Sequence, residues 1–590
     1  MSVELAVQIF ERDGTPPLTT PNATLRARRY SWRAEGGPWQ AQVEAEGDAE
    51  ALGWLMERLG CPIEIGDAEA RRVWWGRVVE IRLQHGIVET GVSLRGMVNR
   101  IAVAYVDSST GQRATTAWVQ DDDSVALYGK QERLLTLTNA TASEAEAYRD
   151  RALADLRFPR PTLSLQQGRS VAPRVTMLCA GRWAMLNELY YADAAGYVRN
   201  EVEATQHVKV GQDSYINTAI GFEDISDGDR IYDLGSGFGG FLAGDRVIVS
   251  GASEPDNNGT KDVTGASGTH LLIATDLDPE NPGNSITIAQ ASGTQSAQSF
   301  TISDAGGWRL AEVRLMARAA GSPADNLRVQ VCADSGGAPG SVLATASVAA
   351  ADLAADKLEW VTFAFDSSVS LSASTTYWLV VSRSGSLASA SGYAVGIDPS
   401  AGYAGGALYV YSGSWAARSP AADLAFVVAG TRDTTDQVEA ILTASGQFAG
   451  VEIEDTSGIY ASPYRDGDAT AQTEVEALLR TGTTGGRRLL ATMTQEQWIR
   501  IYEAPSSTDP HGLHANGQFE DHLGRVVEHH LCPVGIWLQV LDLPSTLDVA
   551  RETDPTLLFV EEMEYNVDSG LLRPLSYGSR NPWSSRATDG

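Results

Sequence analysis

Cysteine is scarce in this sequence: Cys61, Cys179, Cys332 and Cys532 are the four in 590 residues, and none shares a CxxC spacing. Neither a disulfide framework nor a structural zinc finds support, and the four are expected as small buried apolar side chains. Long apolar runs are also missing. No stretch approaches the roughly 18 apolar residues that a membrane-spanning helix needs. The opening MSVELAVQIF lacks a basic segment followed by a continuous apolar stretch, so no secretory leader is expected and folding in the cytoplasm is. Clustered basic charge is the third absence. Lys and Arg number 45 against 75 Asp and Glu, a formal net charge of −30. Affinity for a phosphate backbone comes from counterion release by clustered Lys and Arg, so sequence-specific nucleic-acid reading is not expected. An acidic wall past which DNA slides without sticking is compatible with this charge. No GxSxG elbow, Walker A loop or catalytic cysteine context occurs. Acid pairs such as Glu452 and Glu454 read as solvated faces in so acidic a chain, and none stands out as a glycosidase pair. No catalytic residue, cofactor or metal is assigned.

What is present points to β structure in several domains. The length suggests about three to five domains, and 58 glycines favour short strands joined by turns. RVWWGRVVEIR (72–82) and 88–94 are rich in Val, Ile and Trp, with Gly86 at the turn between them. One helix interrupts this segment. Asp48 is its N-cap, Leu52, Leu55, Met56 and Leu59 form its apolar stripe, and Gly60 closes it. From 143 the pattern turns α/β. Ser143 with Glu146 reads as a capping box for a helix that ends near Arg157, ahead of Pro159. Helices are predicted at 434–444, with Val438, Ile441 and Leu442 on one face, and at 470–480, with Val475, Leu478 and Leu479. Strands follow at 489–493 and 498–502, and again at 534–541 and 557–565. The polar end, 577–590, is expected to be mobile.

Between the α/β stretches, 217–429 has no helical period and breaks near Phe300. The first part carries short strands such as DRVIVS. In the second, Ala311, Val313 and Leu315 alternate with Glu312 and Arg314, and Leu327, Val329 and Val331 with Arg328, Gln330 and Cys332. Period-2 patterning with turns about every ten residues predicts a β-sandwich or jelly roll. The region reads as two β modules inserted into a host domain. WGRVVEIRLQHGIVETGVS and FVEEMEYNVDSGLLRPLS also resemble each other; either duplication or chance hairpin similarity accounts for that.

Three constellations invite chemistry. Gly235-Ser-Gly-Phe-Gly-Gly240 fits GxGxxG, but FLAGDRVIVS follows as a strand where a dinucleotide site needs a helix. The motif is read as a glycine-rich β connection. His511, His514, His522, His529 and His530 lie among Asp509, Asp521 and Glu528, yet without HExxH or facial-triad spacing, and are read as a polar loop. Tyr403, Tyr409, Tyr411 and Trp415 gather in AGYAGGALYVYSGSW. Exposed aromatic faces stack on sugars or anchor protein partners; the alternative is that these rings fill the sandwich.

DTTDQVEAILTASGQF, YRDGDATAQTEVEALLRTGTTGGRRLLATM and WIRIYEAP resemble the hub proteins of bacteriophage tail tips and baseplates. So do WWGRVVEIRLQHGIVETGVSLRGMVNRIAVAYVD, the stretch 143–191, and VVEHHLCPVGIWLQVLDLP through EEMEYNVDSGLLRP. These strings cover about two-thirds of the chain. The segment WRLAEVRLMARAAGSPADNLRVQVCADSGGAPGS to TTYWLVVSRSG is similar to β-sandwich modules inserted in phage tail and surface proteins, often taken to bind carbohydrate. The resemblance implies a mainly β, multidomain chain. Tube-like β domains are expected at 1–107 and 506–590, and a split α/β domain at 108–216 and 431–505. A small barrel-like β module is expected at 217–299 and a carbohydrate-binding-like sandwich at 300–430. It implies a non-enzymatic homotrimeric ring in the virion, assembled in the host cytoplasm. Implied partners are the tail tube or distal tail protein, tip or fibre proteins and the tape-measure protein, with DNA passing through. A tail adhesin binding host-surface glycan through Tyr403, Tyr409, Tyr411 and Trp415 is the alternative.

Overall fold

The structure, a computed structural model, describes residues 4–15, 18–19, 22–165, 171–225, 229–291, 293–304, 306–365, 369–505, 510–514, 518–531, 533–541 and 557–578. Cys532, Asp509 and the end of the chain from 579 lie outside them. Half of the chain is strand and 13% helix. It divides into two compact units, one made of 1–193, 433–461 and 465–590, the other of 194–432 with 462–464.

The first unit is organised by a 13-stranded sheet. Its central strand, Arg72–Gly86, shows why adjacent tryptophans suit a sheet buried on both faces. Side chains alternate, so Trp74 enters one core with Val78 and Ile81, while Trp75 enters another with Val438 and Leu479. Trp75 also meets Trp32 edge-on, ring centroids 5.2 Å apart. Gly76 is required where it stands: a Cβ there would lie 2.1 Å from the Ala180 carbonyl oxygen of the neighbouring strand.

The sheet crosses the boundaries drawn on the sequence at 107 and 505. Val171–Ala180 lies between Arg72–Gly86 and Gly37–Gly47, pairing with both. Ala23–Arg33 pairs on one side with Gly37–Gly47 and on the other with Leu557–Asn566. The reason is that a sheet edge is satisfied by any strand that reaches it, and sequence separation leaves no local signal of that pairing. Ile536–Val540 and Leu571–Gly578 extend the sheet from Leu557–Asn566.

Five helices are described. α1 (Ala49–Met56) starts at Asp48, whose carboxylate accepts from the Ala51 N–H, and buries Leu52 and Leu55. α2 is Asp122–Tyr128. α3 (Ala142–Leu156) has its capping box on Thr141 and Glu144, two residues earlier than the predicted Ser143 and Glu146. Both pairs fit S/T-x-x-E; Thr141 wins because its backbone is still extended, with φ −78° and ψ 162°, as an N-cap requires. α4 (Thr434–Ser445) and α5 (Ala471–Leu479) bury Val438, Ile441, Leu442, Val475, Leu478 and Leu479, as their spacing predicts. They pack with the sheet of Leu489–Met493, Trp498–Glu503 and Gly450–Ile453.

The second unit contains a β-sandwich. One sheet runs Tyr197–Asn200, Phe426–Asp433, Trp308–Ala320, Gly392–Asp398, Gln206–Val210. The other runs Pro339–Ala349, Asn326–Asp334, Thr376–Arg383, Gln295–Thr301, Leu408–Tyr411, Trp415–Ala417. Val313, Leu315, Val329 and Val331 meet between them, as the alternation predicts, together with Phe363 and Leu379. Ala311, expected on the same face as Val313, lies outside this core, because a bulge between Leu310 and Glu312 turns Leu310 inward in its place. The two β modules are not in tandem. A seven-stranded sheet with its own core of Phe222, Ile231, Val247, Val263 and Ile288 leaves after Gln206–Val210 and returns before Gln295–Thr301. The unit therefore begins at 194 rather than 217, since Tyr197–Asn200 and Gln206–Val210 are sandwich strands.

Tyr197 sits opposite Ala429, and Asn200 opposite Phe426. The strands that open and close the second unit are thus antiparallel neighbours, the arrangement that lets an inserted domain be removed. Replacing 194–432 by a short flexible linker is expected to leave a soluble product that melts cooperatively by far-UV circular dichroism. An insoluble product would contradict this.

Candidate functional site

The six-stranded sheet of the sandwich presents a second face away from the main core, and register decides what lies on it. Tyr409 stands opposite Ala297, Ala297 opposite Val380, and Trp378 opposite Cys332. Tyr411 stands opposite Trp415 on the last strand pair. Ala297, Cys332, Trp378 and Val380 form a small buried cluster, with Tyr409 and Trp415 half-buried against it. Trp378 and Tyr409 meet edge-on at 4.9 Å, and the Trp378 indole N–H donates to Asp334 at 2.8 Å. Burial pushes the Cys332 thiol up to about 11, which makes it an inert apolar filler here.

Three of the four predicted aromatics are brought together: Tyr409, Tyr411 and Trp415. The Tyr411 and Trp415 rings lie 5.2 Å apart, tilted at 57°. Tyr403 is not with them. Its ring meets Phe426 at 5.2 Å and packs on the main sandwich core, while its backbone N–H donates to buried Asp423 at 3.0 Å. Trp378 belongs to the cluster although the sequence reading left it out. Its place beside Leu379 in an alternating strand was the available signal.

A buried polar network joins the nested module to the sandwich. His207 Nε2 lies 2.7 Å from Asp245 Oδ1, and Lys209 Nζ 3.6 Å from Asp245 Oδ2. Lys209 also donates to the Gly240 carbonyl and to Gln212, and Gln290 donates to both Gln212 and Asp245. Burial lowers Lys209 to about 8, against the pull of Asp245. Burial opposes ionisation of Asp245 too, yet Lys209 and His207 hold its carboxyl below the usual range. In Gln206–Val210 the alternation puts Val208 and Val210 in the core and His207 and Lys209 on a face that reads as solvent. The nested module covers that face.

The histidines are spread over separate tasks. His530 is buried, 3.1 Å from Asp67, and its carbonyl accepts from Tyr30 Oη at 2.6 Å. His511 stacks on Phe519, and burial lowers its pKa, with His522 adding to the effect. His514 faces Glu520 at 3.4 Å. Asp521 is occupied by Arg525, and His529 lies in the short helix with His530. No cluster of three metal-ligating side chains occurs among the described residues. The glycine motif is likewise accounted for. Asp233 accepts from the N–H groups of Gly235 and Gly237, and the strand Arg246–Ser250 follows. Cys61, Cys179 and Cys332 are buried free thiols.

Models of known protein families and the curated proteins were both compared with this chain, and none matches.

Two outcomes follow from these networks. Asp245→Ala removes the buried carboxylate that faces both His207 and Lys209 and is expected to cost about 3–5 kcal/mol of the second unit's stability, as breaking a buried ion pair does. An unchanged denaturant midpoint would contradict it. Burial raises the Asp67 pKa, but the Arg71 backbone and guanidinium and His530 outweigh it and bring the group to about 2. A depressed carboxylate stabilises above its unfolded value, near 4, and loses that contribution as pH falls towards 2. Asp67→Asn should therefore cost on the order of 2 kcal/mol at neutral pH and show a flatter acid limb between about pH 4 and 2. An acid limb parallel to the parent's would exclude this assignment.

Proposed function

We propose that this chain is the structural hub of a bacteriophage tail tip: a homotrimeric ring that joins the tail tube to tip proteins and lines the DNA channel. One observation carries the reading. The first and last segments of the chain, the two that resemble the hub family's tube-like domains, lie side by side in one sheet. Ala23–Arg33 pairs with Leu557–Asn566, and the seam is reinforced by Arg33 with Glu562 at 3.0 Å, Arg28 with Asp568 at 2.8 Å, and the packed rings of Tyr30 and Tyr565. A chain that contributes two adjacent β domains to a ring needs such a seam. In this reading the work is mechanical, and no residue is assigned a catalytic role.

The Tyr411 and Trp415 pair supports a second reading, a tail adhesin for host-surface glycan. Ring faces that remain half-open at a sheet edge offer stacking to a sugar. Trp415→Ala would then abolish attachment of the full chain to host cells, whereas under the hub reading attachment is unaffected.

The hub reading predicts that light scattering gives the mass of three chains. It also predicts that the assembled protein leaves duplex DNA unretarded in a gel at about physiological salt, because non-specific retention needs several Lys or Arg contacts to phosphate. A monomer at micromolar concentration would overturn the hub reading. A salt-sensitive shift would overturn the proposed non-sticking channel.

A further inference from the structure

A cleft of about 400 Å³ opens on the first unit, within the range of about 300–1,000 Å³ typical of ligand sites. Its charge runs against the rest of the chain. Arg33, Arg77 and Arg95 line it, with Glu188 as the one carboxylate. Arg33 is already committed: it pairs with Glu562 at 3.0 Å, and its guanidinium lies 3.6 Å from the centre of the Trp39 ring. Arg77 and Arg95 are different, since neither has a carboxylate within ion-pairing distance among the described residues.

Arg77 donates one N–H to the Tyr128 carbonyl at 2.9 Å, and its Nε is shut off from solvent without an acceptor. Burial pulls its pKa down to about 10, partly offset by Glu188. Glu188 is itself pushed up by burial, against Arg77 and Arg133. Arg95 is exposed, and its backbone N–H donates to Ser93 Oγ at 3.1 Å. A half-buried guanidinium with no carboxylate within ion-pairing distance carries a desolvation cost that an incoming oxyanion relieves. Setting Glu562 against Arg33 and Glu188 against one of the others leaves a single formal positive charge, which matches a monoanion. Gln40, Gln131 and Asn187 add neutral amide donors along the wall.

We propose that this cleft binds a carboxylate, gripped by Arg77 and Arg95. A planar guanidinium offers two parallel N–H groups to the two oxygens of a carboxylate. A dianionic phosphate fits less well beside Glu188. The carboxylate belongs either to a small acid or to an acidic side chain of a partner polypeptide. The proposal does not depend on the hub reading.

The test is calorimetric titration of the full chain with butyrate, with a short Glu-containing peptide and with inorganic phosphate, at matched ionic strength. Saturable one-site binding of a carboxylate is expected. Arg95→Ala should weaken it about tenfold or more, as loss of a charge-assisted bidentate contact implies. Arg77→Lys should weaken it as well, by removing the fork while keeping the charge. Arg480→Ala, on the exposed end of α5, should leave it unchanged. Equal affinity for butyrate and peptide assigns the site to small acids, and tighter peptide binding assigns it to a partner segment; both support the proposal. Absence of saturable carboxylate binding overturns it. So does phosphate binding more tightly than either, or unchanged affinity in Arg95→Ala and Arg95→Glu that retain the parent's circular dichroism.

Discussion

The seam between Ala23–Arg33 and Leu557–Asn566 is the constraint on which the first unit depends. Arg33 and Glu562 are 529 positions apart, so the sheet cannot be completed until the last segment has arrived. Loop-closure entropy rises only slowly with length, but it must be offset by what the seam itself supplies. Backbone pairing, the Tyr30 and Tyr565 rings, and the ion pairs of Arg28 and Arg33 do this together. The His530 carbonyl, held by Tyr30, fixes the same segment from another side. Removing the seam would leave the edge of Ala23–Arg33 unpaired over a buried face, which a sheet does not tolerate in isolation.

The second unit solves a different problem. A complete seven-stranded module is threaded between two strands of a sandwich, and the join is polar. A buried His, Lys and Asp set is a poor source of net stability, because desolvating the ions offsets most of their attraction. Its use is geometric. Each member is satisfied only in one relative placement of the two modules, so the network specifies that placement where an apolar contact would tolerate sliding.

Much of this was legible in the sequence where local physics decides the outcome. Leu52 and Leu55 on one helical stripe, Val475 with Leu479 on another, and the period-2 runs of Val313 with Leu315 and of Leu327 through Val331 all mark their buried faces correctly. Legibility fails where the decisive neighbour is remote. Nothing near Val171–Ala180 announces that it will enter a sheet built from the first hundred residues. His207 and Lys209 alternate with valines as surface residues do, and only the nested module makes them interior. Tyr403 shares its glycine-rich stretch with Tyr409 and Tyr411, yet Phe426, reached through the fold, takes its ring into the core. The cleft of Arg77 and Arg95 had no motif to announce it, because its walls come from segments far apart along the chain.

The proposed hub rests on the pairing of Ala23–Arg33 with Leu557–Asn566 in one sheet. Electron cryo-microscopy of the purified chain tests it most directly. Three-fold particles are expected, with the sheet formed by 23–33 and 557–566 facing a central channel in each copy. A monomer, a two-fold dimer, or a ring that turns this sheet outward would contradict it.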